Sequence, residues 1–313
     1  MNRGHTIIEL LVSMGVIGAL ASLLLPGVQS ARESGRRASC QNNLRQVGVA
    51  LLQHEATHIE FPVGAAGGGS MGVSWMVRIA PYLEEMQSYD RLDLSGGKHG
   101  LVVVHAENGR AIDGLEIATL ACPSSLIPQL RQVGAFQLMM PSYVGVSGAS
   151  NHDGFPEQRV AECCIPRMGG QISAGGVLVP NYSVRAMQIT DGLSNTLVTA
   201  ECSSYSYTSD GRERRIDGGF PNGWIAGTAA RGVPPEYHPG FAPPSWNIVT
   251  VRYTPNTADY DLPGVDDNRG PNNPFTSNHP NGVYAGFADG RVVFLDEKID
   301  LSLFKSLVTR DAN

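Results

Sequence analysis

The stretch Ile7–Leu25, IIELLVSMGVIGALASLLL, decides the architecture. Between Thr6 and Ala31 the only ionisable side chain is Glu9. As a helix this run is about long enough to cross a ~30 Å hydrocarbon core. Arg3 precedes it, and Arg32, Arg36 and Arg37 follow it. Two readings stand for such a segment: a retained membrane anchor, or a secretory signal cut within the small residues of Val28-Gln29-Ser30-Ala31. Glu9 separates them. A carboxylate in lipid is costly unless paired. Cleavage between Gly4 and His5 would create an amine four residues before Glu9, able to neutralise that charge on an adjacent helix.

Beyond Pro26 the pattern turns one-sided. Leu44, Val47 and Leu51 recur at helical spacing, with Arg32, Arg36, Arg37 and Arg45 left to water. The spacing predicts one helix over about 6–56, interrupted at Pro26, which lacks an amide donor. About 50 residues extend about 75 Å, far more than a bilayer. The distal half must therefore pack on a head.

Composition describes that head. Gly 37 and Pro 20 mark a turn-rich chain, and the charged fraction of 17% is below the ~25% usual for soluble domains. Coiled coils and helical bundles are excluded. With Lys+Arg 23 against Asp+Glu 29 the net charge is −6, which argues against nucleic acid as a partner.

Arg3-Gly4-His5-Thr6-Ile7-Ile8-Glu9-Leu10-Leu11 resembles the signal of type IV prepilins and type II secretion pseudopilins. That signal ends in Gly and carries Glu at the fifth mature position; here His5 stands where Phe is usual. The resemblance implies cleavage after Gly4 by a prepilin peptidase, N-methylation at His5, assembly through Glu9 with other pilin-like subunits, and a helix kink at Pro26. It also implies an inner-membrane anchor with the head in the periplasm or at the cell surface. Further blocks narrow it: Cys40-Gln41-Asn42-Asn43-Leu44-Arg45-Gln46-Val47-Gly48, Phe61-Pro62, Cys122-Pro123-Ser124 and Asp191-Gly192-Leu193-Ser194-Asn195-Thr196 with Glu201 behind. His279 followed nine residues later by Asp289-Gly290 completes the set. Together these resemble a planctomycete-type family with a prepilin signal and a C-terminal domain of unknown function marked by His279, Asp289 and Gly290. The expected fold is α+β, a long pilin-like helix packed on a β-rich head, divided as leader 1–4, helix 5–58 and head 59–313.

Within the head, Trp75–Tyr89 reads as a short helix with Tyr82, Leu83 and Met86 inward, and Leu101–Val104, Ser142–Val146, Leu197–Glu201 and Ile248–Tyr253 as strands. The stretch 205–246 reads mostly as loop. Val283–Phe287 and Val292–Leu295 flank Asp289-Gly290, a primed-turn dipeptide, so they read as a hairpin. The acid of Asp289 is then turn chemistry rather than a catalytic group, and His279 a structural hydrogen-bond partner of the hairpin. Five scattered cysteines lack metal-finger spacing. In an oxidising compartment at least one disulfide is expected among Cys122, Cys163, Cys164 and Cys202, with Cys40 single and a direct Cys163–Cys164 bond disfavoured.

Three features tempt a different reading. His54-Glu55-Ala56-Thr57-His58 is a literal H-E-x-x-H, with Glu84 or Glu85 as a third zinc ligand, which would make the chain a membrane-tethered peptidase. It closes the stalk helix, and an incidental role is the expectation. Asp259–Asn273 offers Asp261, Asp266, Asp267, Asn268, Asn272 and Asn273 as oxygen ligands for calcium but lacks the spacing of a calcium loop. Trp224, Tyr237, Phe241 and Trp246 offer a contact surface or, more ordinarily, loop anchors. No cofactor and no catalytic residue is expected.

Overall fold

The computed structural model describes residues 7–68, 71–83, 89–95, 99–103, 105–152, 154–164, 169–219, 221–238, 245–267 and 270–312. Gly4, His5, Glu84, Glu85, Met86, Val104, Phe241 and Asn268 lie outside them.

Helix α1 spans Ile7–His58. Pro26 sits inside it, so the expected interruption is absent. The missing amide removes only the bond to the Ser22 carbonyl, and the turns on either side hold the rod. The two halves of α1 differ sharply. Ile7, Leu10, Leu11, Ile17 and Leu24 are each more than half exposed, and the 18-residue apolar window long enough to cross a membrane has none of its residues buried on this chain. From Cys40 onward one stripe is buried: Cys40, Leu44, Val47, Ala50, Leu51 and His54. Their spacing is that of a single helix face. Leu44, Val47 and Leu51 each contribute roughly 1.5–3 kcal/mol on burial.

The head is built on a five-stranded sheet. In chain order the strands are β1 (Leu130–Val133), β2 (Phe136–Met139), β3 (Tyr143–Ala149), β4 (Val160–Glu162), β5 (Gln171–Ser173), β6 (Leu197–Glu201), β7 (Tyr205–Tyr207), β8 (Glu213–Arg215), β9 (Ile248–Val251), β10 (Gly282–Phe287) and β11 (Val292–Asp296). The main sheet runs β11-β10-β6-β3-β9. Its pairings are antiparallel except β3 with β9. Pairs β1–β2, β4–β5 and β7–β8 form separate two-stranded ribbons. Short helices are α2 (Trp75–Ile79), α3 (Ala106–Ile112) and α4 (Leu301–Leu307).

Helices cover both sheet faces. Val144, Val146, Leu197, Ala285 and Phe287 pack with Phe304 and Val308 at α4. On the other face Cys40 and Leu44 of α1 meet Cys122, Tyr143, Tyr284 and Val292. The chain is thus α+β, one long helix against a β-rich head.

Several expectations change. Val102 is buried, yet Leu101–Val103 forms a turn rather than a strand. An apolar run can be buried without a ladder partner. Of the helix expected over 75–89, the described residues show α2 and then a 3-10 turn at Ala80–Tyr82 with Pro81, which lacks an amide, in its first turn; 84–88 lie outside the described residues. Trp224, Tyr237 and Trp246 are 1%, 4% and 6% exposed, so they anchor loops and form no contact surface.

Candidate functional site

The sequence blocks that stood apart along the chain meet where α1 docks on the sheet. Cys40 comes from α1, Cys122 from the loop after the 3-10 turn Ala118–Leu120, Glu201 from the end of β6, and His279 from the loop before β10. All four are buried, and their ligand-type atoms lie within 4.8 Å of one another. The Cys122 thiol donates to Glu201 Oε1 at 3.4 Å and lies 3.8 Å from His279 Nε2. His279 Nε2 stands 3.4 Å from Glu201 Oε1. On its other side His279 Nδ1 meets Glu33 Oε1 at 2.7 Å. The backbone N–H of Tyr284 donates to Glu201 Oε2 at 2.8 Å.

Helical spacing explains Glu33. It lies two turns before Cys40 on the same face of α1, where Arg36 donates to it at 2.7 and 2.9 Å. Burial alone would push the His279 imidazolium down. Hydrogen bonds with Cys122, Glu201 and Glu33 outweigh it and raise its pKa to about 10. Burial would push the Glu33 carboxyl up, but His279 and Arg36 hold it below the usual range. The hydrogen bond with Cys40, and then burial, push the Cys122 thiol up. The imidazole of His279 thus sits between the side chains of Glu33 and Glu201, beside the thiols of Cys122 and Cys40.

Several of the block residues have a physical task. Asn43 Nδ2 donates to the carbonyls of Ala121 and Ala118 at 2.8 and 3.2 Å, fixing the Cys122 loop on the helix. Leu44 and Val47 are core, and the Thr119 hydroxyl donates to Gln46 Oε1 at 3.4 Å. Gly48 touches the tip of the β10–β11 hairpin at Gly290. In the 191–196 block, Asp191 O accepts from Asn195 at 2.8 Å, and Leu193 O accepts from the Asp289 N–H at 3.2 Å.

The spacing from His279 to Asp289-Gly290 is therefore one strand with a docking point at each end. His279 reaches Glu33, and Gly290 reaches Gly48. Between Glu33 and Gly48 the helix rises about 22 Å, and six-residue β10 spans about 20 Å, so both contacts form at once. Asp289 is turn chemistry, as expected: its carboxylate accepts from the Arg291 N–H at 2.9 Å, and Gly290 has φ +82°. His279 partners the stalk rather than the hairpin turn.

One part of the cysteine expectation is overturned, the disfavouring of a direct Cys163–Cys164 bond. Cys163 and Cys164 are joined to each other, while Cys40, Cys122 and Cys202 are free and buried. Cys164 has φ +71°, a left-handed turn that brings the adjacent side chains together. The Cys202 thiol donates to Ile216 O at 3.1 Å.

Cys122, His279 and Glu33 repeat the order nucleophile, base, orienting carboxylate. Burial and the raised thiol pKa oppose that use, since a cysteine nucleophile acts as an exposed thiolate. At the H-E-x-x-H segment, His54 Nδ1 and His58 Nδ1 contact the carbonyls of Glu60 and His54 at 3.0 and 3.1 Å. The two rings stack 4.2 Å apart and line a 540 Å³ cavity with Glu60, Arg78 and Tyr82. Among the described residues no third metal-ligand side chain groups with them. In the acidic loop, Asp266 and Asp267 accept from the Tyr260 hydroxyl, and Asp261 from the Ser209 N–H.

Fold and site define a class: an α+β head whose separate sequence blocks clamp a long N-terminal helix. The chain belongs to the family described as protein of unknown function (DUF1559), whose profile matches residues 29–302. The match begins past the apolar run and takes in Glu33, Cys40, Cys122, Glu201 and His279. Comparison with curated proteins and with solved structures finds no match.

Proposed function

We propose that this is a prepilin-like, membrane-anchored envelope protein, a non-enzymatic subunit of a pilus- or pseudopilus-type assembly or a surface-displayed binding protein. One observation carries the reading. A single unbroken helix is apolar on all sides and uncovered over its first half, then docked along one stripe over its second. A helix apolar all round has no stable place in water; lipid or neighbouring copies of the same helix must cover it. Glu9 lies in that uncovered half, at the position the prepilin resemblance gives to subunit assembly. The head then stands outside the cytoplasm on the anchor's far side. Intact-mass analysis of membrane-extracted protein tests this: the mature chain begins at His5 and carries one added methyl. A terminus beyond Ser30 would show a removed signal and end the proposal.

A second reading, a tethered zinc peptidase, is favoured by one observation, the 540 Å³ cavity beside His54 and His58. Zinc lost on His54→Ala, together with peptide hydrolysis, would establish it.

A further inference from the structure

We propose that Cys40, Cys122, Glu201 and His279 form a tetrahedral site for a zinc-class divalent transition-metal ion that pins the stalk helix to the head. The inference stands apart from the prepilin-like reading, since it concerns only the junction between α1 and the sheet.

The distances carry it. A hydrogen bond to a carboxylate ordinarily closes to about 2.7–2.9 Å, and His279 Nδ1 does so with Glu33 at 2.7 Å. Its other nitrogen stays 3.4 Å from Glu201 although both groups are fully buried. Around zinc, with Zn–S about 2.3 Å and Zn–N or Zn–O about 2.0–2.1 Å, tetrahedral edges are about 3.5 Å for S–N and S–O and about 3.3 Å for N–O. The site has 3.8 Å for Cys122 Sγ to His279 Nε2, 3.4 Å for Cys122 Sγ to Glu201 Oε1, and 3.4 Å for His279 Nε2 to Glu201 Oε1. These three edges leave room for an atom between them, and Cys40 Sγ lies within 4.8 Å of each of the three ligand atoms.

The surroundings fit as well. Metal-bound histidines commonly give their second N–H to a carboxylate, which fixes the ring; Glu33 holds that place on Nδ1. Glu201 uses Oε2 on the Tyr284 N–H, leaving Oε1 for the ion. Two thiolates and a carboxylate with a divalent ion leave one negative charge, and Arg36 and Arg37 sit against Glu33 on the outer side. Binding expels both thiol protons and the Nε2 proton to solvent; no electron moves. Soft sulfur with imidazole selects zinc-class ions over calcium or magnesium. Of the four ligands, one comes from the stalk and three from the head, so the ion would add a covalent-strength link to a junction already held by packing, hydrogen bonds and the Glu33–His279 pair.

The test uses the full chain in detergent, purified without reductant and loaded with cobalt(II) in place of zinc. Expected are one metal ion per chain, a thiolate-to-cobalt charge-transfer band and the intense d–d bands of a tetrahedral centre. Cys40→Ala and Cys122→Ala each weaken the charge-transfer band and lower affinity. Glu33→Gln keeps the band shape but loosens binding about 10–100-fold, and Cys202→Ala changes nothing. Far-UV circular dichroism checks that each variant folds, and Glu33→Gln still reports if the cysteine variants do not. A Cys40–Cys122 cross-link in the peptide map, no cobalt uptake by protein with both thiols free, or an unchanged spectrum in folded Cys40→Ala would each overturn the proposal.

Discussion

A Cβ placed on Gly48 would stand 3.0 Å from the Gly290 Cα, so the stalk helix and the hairpin tip meet backbone to backbone. Gly290 also has φ +82°, which side chains with a Cβ resist. A side chain at Gly48 would press on the hairpin backbone, and one at Gly290 would strain its own backbone.

Gly48→Val is therefore expected to lower head stability by about 1–3 kcal/mol, the usual cost of forcing extra atoms into a packed contact. Ala at the same place should cost less. Denaturant unfolding followed by tryptophan fluorescence measures both, and equal stability of Gly48→Val and the natural chain would mean the seam is loose.

Lys305 gives a pH signature. It is fully buried, and Nζ donates to the Ser150 carbonyl and hydroxyl at 3.1 and 3.0 Å. Burial, and then Arg252, lower its pKa from 10.5 to about 8. The folded state thus binds fewer protons than the unfolded chain between those values, and its contribution to stability rises with pH across that window. Below about 8 the full cost of burying the charge applies. Lys305→Met removes this effect, so the difference in melting temperature between variant and natural chain should change from pH 8 to 10.5. A constant difference would show that Lys305 does not titrate there.

Thiol counting checks the cysteine arrangement. With Cys163 and Cys164 joined, three thiols should alkylate in denaturant plus chelator. In the native protein Cys40, Cys122 and Cys202 should react slowly, because all are buried. Peptide mapping that finds Cys163 and Cys164 separately alkylated would contradict the structure.

Glu9→Gln tests assembly against tethered catalysis. A neutral amide is cheaper in lipid than a carboxylate, so membrane retention is expected to persist while assembly slows or fails. His54→Ala should leave assembly near normal. The opposite pattern, normal assembly in Glu9→Gln and loss of bound zinc and hydrolysis in His54→Ala, would favour the peptidase reading.

The elements legible in the sequence were those with a long or well-punctuated period. Helix α1 was foreshadowed by the continuous apolar run and the later 3.6-residue stripe, and β10–β11 by two apolar runs around Asp289-Gly290. Leu101–Val103 misled because an apolar run reports burial rather than pairing. Ribbons β4–β5 and β7–β8, three residues a strand, are too short to show alternation. The site was legible only in pieces. Cys40, Cys122, Glu201 and His279 are each about 80 residues from the next, and no local spacing reports that a sheet gathers them. Glu33 carried one signal, its place two helical turns before Cys40.

The unbroken passage of α1 from its uncovered half into the head fixes an angle. Each residue added to a helix rotates the chain beyond it by about 100° and advances it about 1.5 Å. Residues 29–32 are exposed and precede every docking contact described for Glu33 and Cys40. One alanine inserted there would leave both packing surfaces whole yet swing the head by more than a quarter-turn about the rod. Azimuth is then a heritable variable, set by the count of residues between the apolar run and Glu33.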